Sequence, residues 1–308
     1  MQQWDNHRYY SLDYYLKHTY HEKIYKIALN GNMTCPNRDG TLDTRGCIFC
    51  SEGGSGDFAG HCHDSITQQL LDGKLKLQNK ATSNSYIAYF QAFTNTYESI
   101  EYLRNIYYEA IADPSVKVLS IATRPDCLNL PILDLLSELN GIKPVWIELG
   151  LQTVSEKSAS FIRRGYSISI FETALTELNR RNISVIVHTI MGLPSEDKNG
   201  ILDTIRYLNA KNIQGIKLQL LHVLKHTDLA EIYQSTPFWT PTLEEFLSLL
   251  GQCISELRPD IVIHRITGDG PKDLLIAPLW TGHKRLVLNS IHKYLKEQDL
   301  WQGKTYHP

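Results

Sequence analysis

The feature that most constrains the fold of this chain is an alternation of short apolar runs with segments of helical length. Runs rich in β-branched and aromatic residues lie at 23–29, 85–93, 116–123, 144–151, 183–190 and 215–223. Helix-length segments lie between and after them, at 64–79, 97–112, 130–140, 155–162, 168–181 and 197–211. Strands that alternate with helices build right-handed βαβ units, so the pattern predicts an α/β fold on a parallel sheet. Periodicity leaves two architectures open, a doubly wound sheet and most of a barrel.

Composition narrows the class of protein. With 42% hydrophobic residues, 21% charged residues and a net charge of −2, the chain has the balance of a soluble globular protein without a general basic field. No apolar run approaches the roughly 18–20 residues of a membrane span, and the N-terminus lacks the apolar core of a signal peptide. We therefore expect a cytoplasmic protein without a membrane partner, in which cysteines are more often metal ligands or buried thiols than disulfides.

A glycine-rich segment after the first strand carries the clearest sign of chemistry. The stretch TCPNRDGTLDTRGCIFCSEGGSGDFAG (34–60) holds Cys35, Cys47 and Cys50, three of the six cysteines of the chain. The C-x2-C pair lets one turn present two sulfurs to one metal or cluster, and Cys35 approaches from another side. A structural zinc site would need a fourth ligand, for which His61, Cys62 or His63 is available. An iron–sulfur cluster with one iron left open is the alternative, and the spacing alone does not decide between them.

Later motifs resemble, in their order along the chain, those of the radical S-adenosylmethionine (SAM) superfamily. After the cysteine loop come Tyr89-Phe-Gln-Ala-Phe-Thr-Asn-Thr96, Ala122-Thr-Arg-Pro-Asp126, Glu148-Leu-Gly-Leu-Gln-Thr153 and Met191-Gly-Leu-Pro194. The chain is most similar to the YhcC/YtqA-type bacterial family, whose wide first cysteine gap it shares. It resembles more distantly the catalytic subunit of Elongator and oxygen-independent coproporphyrinogen oxidase, over about 24–225.

The resemblance implies a fold, a cofactor set and an activity. The fold would be a partial (β/α)6 TIM-like barrel at 21–241, with an N-terminal arm at 1–20 and a C-terminal extension at 242–308 that closes the barrel and contacts substrate. Cys35, Cys47 and Cys50 would be the catalytic metal ligands of one [4Fe–4S] cluster. Its open iron would chelate SAM, and one electron from a donor such as flavodoxin or ferredoxin would release a 5′-deoxyadenosyl radical.

The resemblance also assigns SAM contacts to side chains near the strand ends. These are Phe49, Gln91, Ala92, Gln152, Arg164, Met191 and Gly192. Gln152 would meet the ribose and Arg164, twelve residues later, the methionine carboxylate, which a guanidinium fork matches bidentately. Phe49 would lie near the adenine, and Met191 with Gly192 would form its apolar wall.

The chain departs from the family pattern at two places, so the groups that bind the ribose and the SAM amino group stay open. Ala122 stands where the relatives carry an acidic residue on the third strand, so Glu148, His188 or Ser120 becomes the candidate for the ribose. A satisfied core histidine is an equal interpretation of His188. The segment after the second strand lacks the usual Gly-Gly-Glu, so a backbone carbonyl near Gln91 would have to hold the SAM amino group.

The other cysteines and one late turn complete the candidate residues. Cys62, Cys127 and Cys253 are scattered, and free cysteine packs as a small hydrophobe, so we expect a single cluster. Of these three, Cys127 is expected to face the cavity. The segment from His264 to Pro271, at the end of a late strand, is either a glycine-rich turn or a closure of the barrel mouth that touches substrate.

The Elongator resemblance implies chemistry at C5 of the wobble uridine of tRNA. The chain has no room for an acetyltransferase domain, so removal or remodelling of a carboxymethylaminomethyl side chain is the expected reaction. Lysines and arginines at 284, 285, 293, 296 and 304, with Trp280 and Trp301 nearby, could neutralise phosphates and stack bases, or could be one face of a solvated helix. Two alternatives stand beside this one: a radical SAM enzyme for a small metabolite or cofactor precursor, and a non-catalytic zinc- or cluster-binding module that docks RNA or protein.

Overall fold

Parallel strands and the helices between them account for most of the molecule. The computed structural model describes residues 4–194, 196–268 and 270–307, so residues 1–3 of the expected arm and Asp269 of the late turn lie outside it. The strands are β1 Tyr25–Leu29, β2 Tyr86–Phe90, β3 Val116–Thr123, β4 Val145–Gln152, β5 Ser184–Met191, β6 Gly215–Leu220, β7 Val223–Leu224, β8 Val262–Arg265 and β9 Leu275–Ala277. The helices are α1 Leu12–Tyr20, α2 Ile66–Leu77, α3 Ile100–Ala112, α4 Leu130–Asn140, α5 Glu156–Phe161, α6 Ile168–Arg180, α7 Lys198–Asn209, α8 Asp228–Ser235, α9 Leu243–Glu256 and α10 Lys284–Glu297.

Local sequence sets where many of the helices begin. Ser65, Ser99 and Asn129 each accept a hydrogen bond from a backbone N–H of the first helical turn, which otherwise lacks a partner. At the start of α9 the caps are reciprocal, since Thr242 and Glu245 form a capping box. These caps explain why the helix starts predicted from sequence lie within a few residues of the observed ones.

The main sheet has the strand order β1-β2-β3-β4-β5-β6-β8, with every pairing parallel. The first six strands are those predicted from the sequence. The seventh, β8, comes from the C-terminal extension and pairs with β6. β7 and β9 form a separate antiparallel ribbon.

Contacts across the sheet show that it curls into a partial barrel. Lys26 on β1 lies 2.9 Å from Glu148 on β4, measured between Nζ and Oε1. In a flat sheet those strands would be about 14 Å apart, three interstrand spacings. The curl therefore brings inward-facing side chains of distant strands together, and the expected partial TIM-like barrel is confirmed.

Apolar side chains fill both faces of this curved sheet. The helices pack on its outer face over a large core, and a smaller cluster that includes Ile87, Trp146 and Ile186 fills the interior. Leu16 of α1 joins the interior cluster, and Ser11 pairs with Ile263 at the free edge of β8. The segment expected to be an arm is thus a helix that packs against the barrel. No helix in the described ranges is both long and apolar enough to cross a bilayer.

Candidate active site

A cavity of about 250 Å³ lies at the carboxyl ends of the strands, where parallel α/β folds place their sites. Cys35, Cys47 and Cys50 all line it. Cys127 does not, contrary to expectation: it is buried in the 3-10 turn Pro125–Cys127, where its carbonyl accepts a hydrogen bond from Thr96. The cavity thus collects the three predicted ligands from one loop.

The arrangement of the three thiols helps to decide whether they would hold a zinc ion or an iron–sulfur cluster. A single zinc ion needs its ligands at about 2.0–2.3 Å. Within the described residues, no three Cys, His, Asp or Glu side chains converge closely enough for one metal ion. His61, Cys62 and His63, the candidate fourth zinc ligands, do not line this cavity. Three thiols in one cavity, which the candidate fourth zinc ligands do not line, fit a multi-atom cluster with an open position better than they fit zinc.

Buried Asn37 positions the thiol of Cys47. Its amide Nδ2 donates to the Cys47 sulfur at 3.4 Å and to the carbonyl of Arg163 at 2.7 Å. The same carbonyl lies 3.6 Å from the Cys47 sulfur, so loop, thiol and the turn after α5 are tied together. Sequence reasoning did not single out Asn37, although its place two residues after Cys35 is a usable signal.

Arg38 holds the second half of the cysteine loop. Its guanidinium donates to the carbonyl oxygens of Cys50, Ser51 and Glu52 at 2.6–3.3 Å. Gly46 allows this approach, because a Cβ there would lie 2.8 Å from Nε of Arg38. One side chain thereby closes the loop between the first and the last of the three cysteines.

The segment after β2 packs directly on the cysteine loop. Gln91 Nε2 donates to the carbonyl of Ser55 at 2.7 Å, and the backbone N–H of Phe93 donates to the carbonyl of Gly54. A Cβ at Gly56 would lie 2.5 Å from the Cβ of Ala92, so the two backbones approach closely. Gln91 lines the cavity, whereas Ala92 supports the loop from outside it.

Arg164, predicted to bind the methionine carboxylate of SAM, forms hydrogen bonds with other groups of the protein. It is buried, and its N–H groups donate to the carbonyls of Tyr166, Leu151 and Thr153 and to Glu156. Four hydrogen bonds to fixed acceptors engage its guanidinium, so its geometry favours a positioning role over ligand binding, although the residue lines the cavity.

A second arginine, Arg124, lines the same cavity. Its Nε and Nη2 donate to Asp126 at 2.9 and 2.6 Å, and its guanidinium lies over the Tyr166 ring, 4.9 Å from the centroid. The Asp126 pair and the ring fix the direction of this guanidinium. In the described chain no hydrogen bond engages Nη1, which leaves one edge of Arg124 for a ligand.

Other predicted contacts divide between the cavity and the core. Gln152 lines the cavity at a bulge of β4, beside Gly150. Phe49 and Ile190 form part of its apolar wall. Met191, expected in that wall, is instead fully buried in the outer core, because successive strand residues face opposite sides of the sheet. Gly192, also expected there, has a left-handed backbone (φ +81) and lies against Leu220.

A polar layer centred on Glu148 crosses the barrel below the thiols. Its carboxylate accepts hydrogen bonds from Ser120 Oγ and Lys26 Nζ, both at 2.9 Å, from Lys217 Nζ, and from His188 Nε2 at 2.8 Å. The Glu148 side chain has no exposed surface. His188 thus forms a hydrogen bond with Glu148. This contact agrees with the interpretation of His188 as a core histidine whose hydrogen bond is satisfied within the protein.

Charge within the polar layer shifts the pKa values of its members. Burial alone would raise the pKa of Glu148, but the ammonium groups of Lys217 and Lys26 hold it well below its ordinary value. The pKa of His188 falls to about 4, first because the ring is buried and second because Lys217 lies close. Glu148 is therefore a carboxylate and His188 a neutral imidazole near pH 7.

Comparison with known proteins identifies the class to which this fold and site belong. The model of the Radical SAM superfamily matches residues 44–208, and the model of the Radical_SAM C-terminal domain matches 213–297. The chain belongs to the radical SAM superfamily, whose members are enzymes that use a [4Fe–4S] cluster and SAM.

Among individual proteins, the chain is 40% identical to YtqA of Bacillus subtilis, over 97% of this chain and 93% of that one. It is 34% identical to YhcC of Escherichia coli, over 92% and 90% respectively. The Elp3 structure from Methanocaldococcus infernus superposes with a TM-score of 0.69 at 16% identity, over 91% of this chain and 64% of that one. This last likeness is one of fold.

Proposed function

We propose that this protein binds one [4Fe–4S] cluster through Cys35, Cys47 and Cys50 and uses SAM to modify the C5 side chain of wobble uridine in tRNA. The observation that carries the cofactor part is the gathering of three thiols from one loop in one cavity, which the candidate fourth zinc ligands His61, Cys62 and His63 do not line. When bound, the cluster supplies the electron that cleaves SAM and releases a 5′-deoxyadenosyl radical.

The residues of the chain would hold and shield these groups. Asn37 and Arg38 keep the cysteine loop in one conformation, which stabilises the direction of its sulfurs. Phe49 and Ile190 offer the adenine an apolar wall and exclude water there. Gln152 stays our candidate for the ribose.

For the methionine carboxylate we replace Arg164 by Arg124. Both arginines line the cavity, but the donors of Arg164 are engaged by carbonyl groups and Glu156, whereas Arg124 has one edge unengaged. Gln91 and the carbonyls beside it are retained for the SAM amino group, and Glu148 and His188 serve the polar layer beneath. In this proposal the protein acts in the cytoplasm, with flavodoxin or ferredoxin as electron donor.

Anaerobic reconstitution tests the cofactor proposal. We expect about four irons per chain and formation of 5′-deoxyadenosine from SAM and dithionite. Cys35→Ala, Cys47→Ala and Cys50→Ala should each abolish 5′-deoxyadenosine, whereas Cys62→Ala, outside the cavity, should not. A colourless protein with one zinc per chain would instead favour the non-catalytic docking module.

A basic groove beside α10 supports RNA as the substrate. Lys272, Lys284, Arg285 and Lys293 line it, and Leu286 is exposed among them. The two tryptophans are less available than expected: Trp280 donates to the carbonyl of Pro241 and packs on Phe246, while the ammonium of Lys304 lies over Trp301. Phosphate contacts from the groove, more than base stacking, would then bind the RNA.

Salt-dependent binding of tRNA tests the groove. Arg285→Gln and Lys293→Gln should each reduce the slope of log K against log salt by about one unit, because each removes one phosphate contact. Lys17→Gln, on α1, is the matched control and should leave the slope unchanged. Equal slopes in all variants would remove the groove from the proposal.

Nucleoside mass spectrometry of tRNA from a deletion strain tests the substrate itself. We expect a carboxymethylaminomethyl-type uridine to accumulate and its product to disappear. An unchanged nucleoside profile would turn the assignment to the alternative, a small metabolite or cofactor precursor.

A further inference from the structure

The polar layer inside the barrel carries more positive than negative charge. Lys26, Lys217 and Arg265 face one carboxylate, that of Glu148, in a single electrostatic neighbourhood. Among the described residues, the cavity lining adds only one further acid, Asp57, which accepts hydrogen bonds from Ser51 in the cysteine loop. Glu148 thus faces three basic side chains, of which Lys217 has a pKa that burial lowers well below its ordinary value, so an added anion would favour its charged form.

Arg265 is the least engaged of these cations. It lies at the end of β8 and lines the same cavity as the three thiols. Its Nη1 makes a long hydrogen bond, 3.4 Å, to the side-chain oxygen of Gln219. In the part of the chain that the structure describes, no carboxylate lies within ion-pair distance of its guanidinium.

Lys217 is held close by and has almost no contact with solvent. The residue is 2% exposed, and its ammonium donates to Glu148 and, at 3.1 Å, to the hydroxyl of Tyr89. Lys26 lies over the same tyrosine ring, 4.3 Å from its centroid. Lys217 and Lys26 share the one carboxylate of Glu148, so an anionic ligand beside Lys217 and Arg265 would supply a second negative charge to these basic side chains.

We propose that Arg265 and Lys217 form a binding site for a carboxylate on the reacting end of the substrate. A guanidinium fork fits a carboxylate bidentately, and the lysine adds a point charge on the other side. The inference rests on the proposed function for the identity of the nucleoside, whose C5 substituent would end in a glycyl carboxylate. The site would hold that carboxylate at the floor of the cavity whose upper end carries the cysteines.

Two RNAs that differ in one charge test this site. The probes are an anticodon stem-loop carrying 5-carboxymethylaminomethyluridine and the same RNA with its carboxylate converted to the amide. We expect the reconstituted wild-type enzyme with SAM to bind the acid at least about tenfold more tightly than the amide, as charge-assisted pairing predicts. Arg265→Gln should reduce this ratio to near one by weakening the acid alone.

Two further variants serve as controls, Arg265→Lys in the proposed site and Arg285→Gln in the basic groove. Arg265→Lys, which keeps the charge and loses the fork, should give an intermediate ratio and shows whether a folded site survives. Arg285→Gln should weaken both RNAs equally and leave the ratio unchanged. The inference is overturned by a wild-type ratio near one, or by the same ratio in wild type and Arg265→Gln.

Small probes separate this inference from the tRNA proposal. If neither RNA binds, the tRNA proposal fails, and calorimetric titration with N-benzylglycine and N-benzylglycinamide decides the carboxylate site. A preference for the acid that Arg265→Gln removes supports the site without RNA. Equal binding of acid and amide, or a preference that survives in Arg265→Gln, overturns it.

Discussion

At the scale of single residues, Glu148 organises the barrel interior. The sequence offered it as a candidate ribose ligand, yet its carboxylate accepts hydrogen bonds from four side chains: Lys26, Ser120, His188 and Lys217. Since the partners come from four other strands, one carboxylate ties together most of the curved sheet. A buried carboxylate with this many donors is a structural centre as well as part of the cavity floor.

The buried imidazole of His188 should make the protein sensitive to acid. Its pKa is about 4 in the folded protein and 6.5 ordinarily, so only the unfolded chain takes up a proton between those values. Stability should therefore fall as pH drops below 6.5, by about 2 kcal/mol from this group at pH 5. Urea unfolding from pH 5 to 8 measures the loss, which should be smaller by that amount in His188→Gln.

Exposed His18 provides the control for this measurement. His18→Gln should keep the pH dependence of the wild type. If His188→Gln and the wild type lost stability equally between pH 7 and 5, the buried neutral imidazole would be refuted.

At the scale of elements, the alternation of β5 decides which side chains reach the site. His188 and Ile190 line the cavity, whereas Thr189 and Met191 are buried on the other side of the strand. A pattern of apolar residues predicted the strand but not its face, because β5 is apolar on both sides. The residue of β5 that lines the cavity after His188 is therefore Ile190, and Met191, the predicted adenine contact, faces the outer core.

The loop that carries the cysteines depends on close packing with the segment after β2. Gly54 has φ +58, and a Cβ there would overlap the ring of Phe93. Gly54→Ala should displace that ring, destabilise the loop by about 1–3 kcal/mol and lower the iron retained per chain after gel filtration. Iron content and unfolding free energy are the measurements.

Gly40→Ala is the matched control for Gly54→Ala. Gly40 also has a positive φ, +92, but a Cβ there would meet nothing within 4 Å. Both variants place a Cβ on a backbone with positive φ, but only Gly54→Ala adds a steric overlap with a neighbouring side chain. Equal iron retention in the two would show that packing on Phe93 does not hold the loop.

At the scale of the whole molecule, the N-terminal segment completes the barrel. Leu16 of α1 packs with Trp146 and Ile186 in the interior cluster, and Ser11 bridges to Ile263 at the edge of β8. The half-barrel has an open edge at β8, and this segment covers part of it. A stretch that looked like a peripheral arm is part of the core.

Truncation of Leu16 should measure how much α1 stabilises the fold. The side chain is 4% exposed, so Leu16→Ala should lower the unfolding free energy by about 2–5 kcal/mol through lost burial and a cavity. Leu75→Ala, on a helix with its side chain 60% exposed, should change it by less than about 0.5 kcal/mol. Similar losses in both variants in urea unfolding would contradict a core role for α1.

Much of this architecture could be predicted from the order of local residue patterns along the chain. The six barrel strands and the cysteine loop follow from local patterns, since a strand or a capped helix is specified by residues close in sequence. The short strands β7 and β9 were not predicted, because two or three residues are too few to show a periodic pattern. Asn37 and Arg38 were not predicted as site residues either, because they bind backbone carbonyl groups, which a sequence pattern does not show.

By itself, the sequence determined the βα order, the family and the three thiols, each of which depends on residue types at short spacing. Only the tertiary structure decided how the inward-facing side chains combine. Lys26, Glu148 and Lys217 lie on strands far apart in the chain, and the curl of the sheet makes them neighbours. Arg164, Arg124 and Arg265 all line the cavity, but the fold engages the donors of Arg164 with backbone carbonyls and leaves Arg124 and Arg265 less engaged. Which charges remain available to a ligand is a property of the packed barrel, because burial and pairing exist only once distant strands have met.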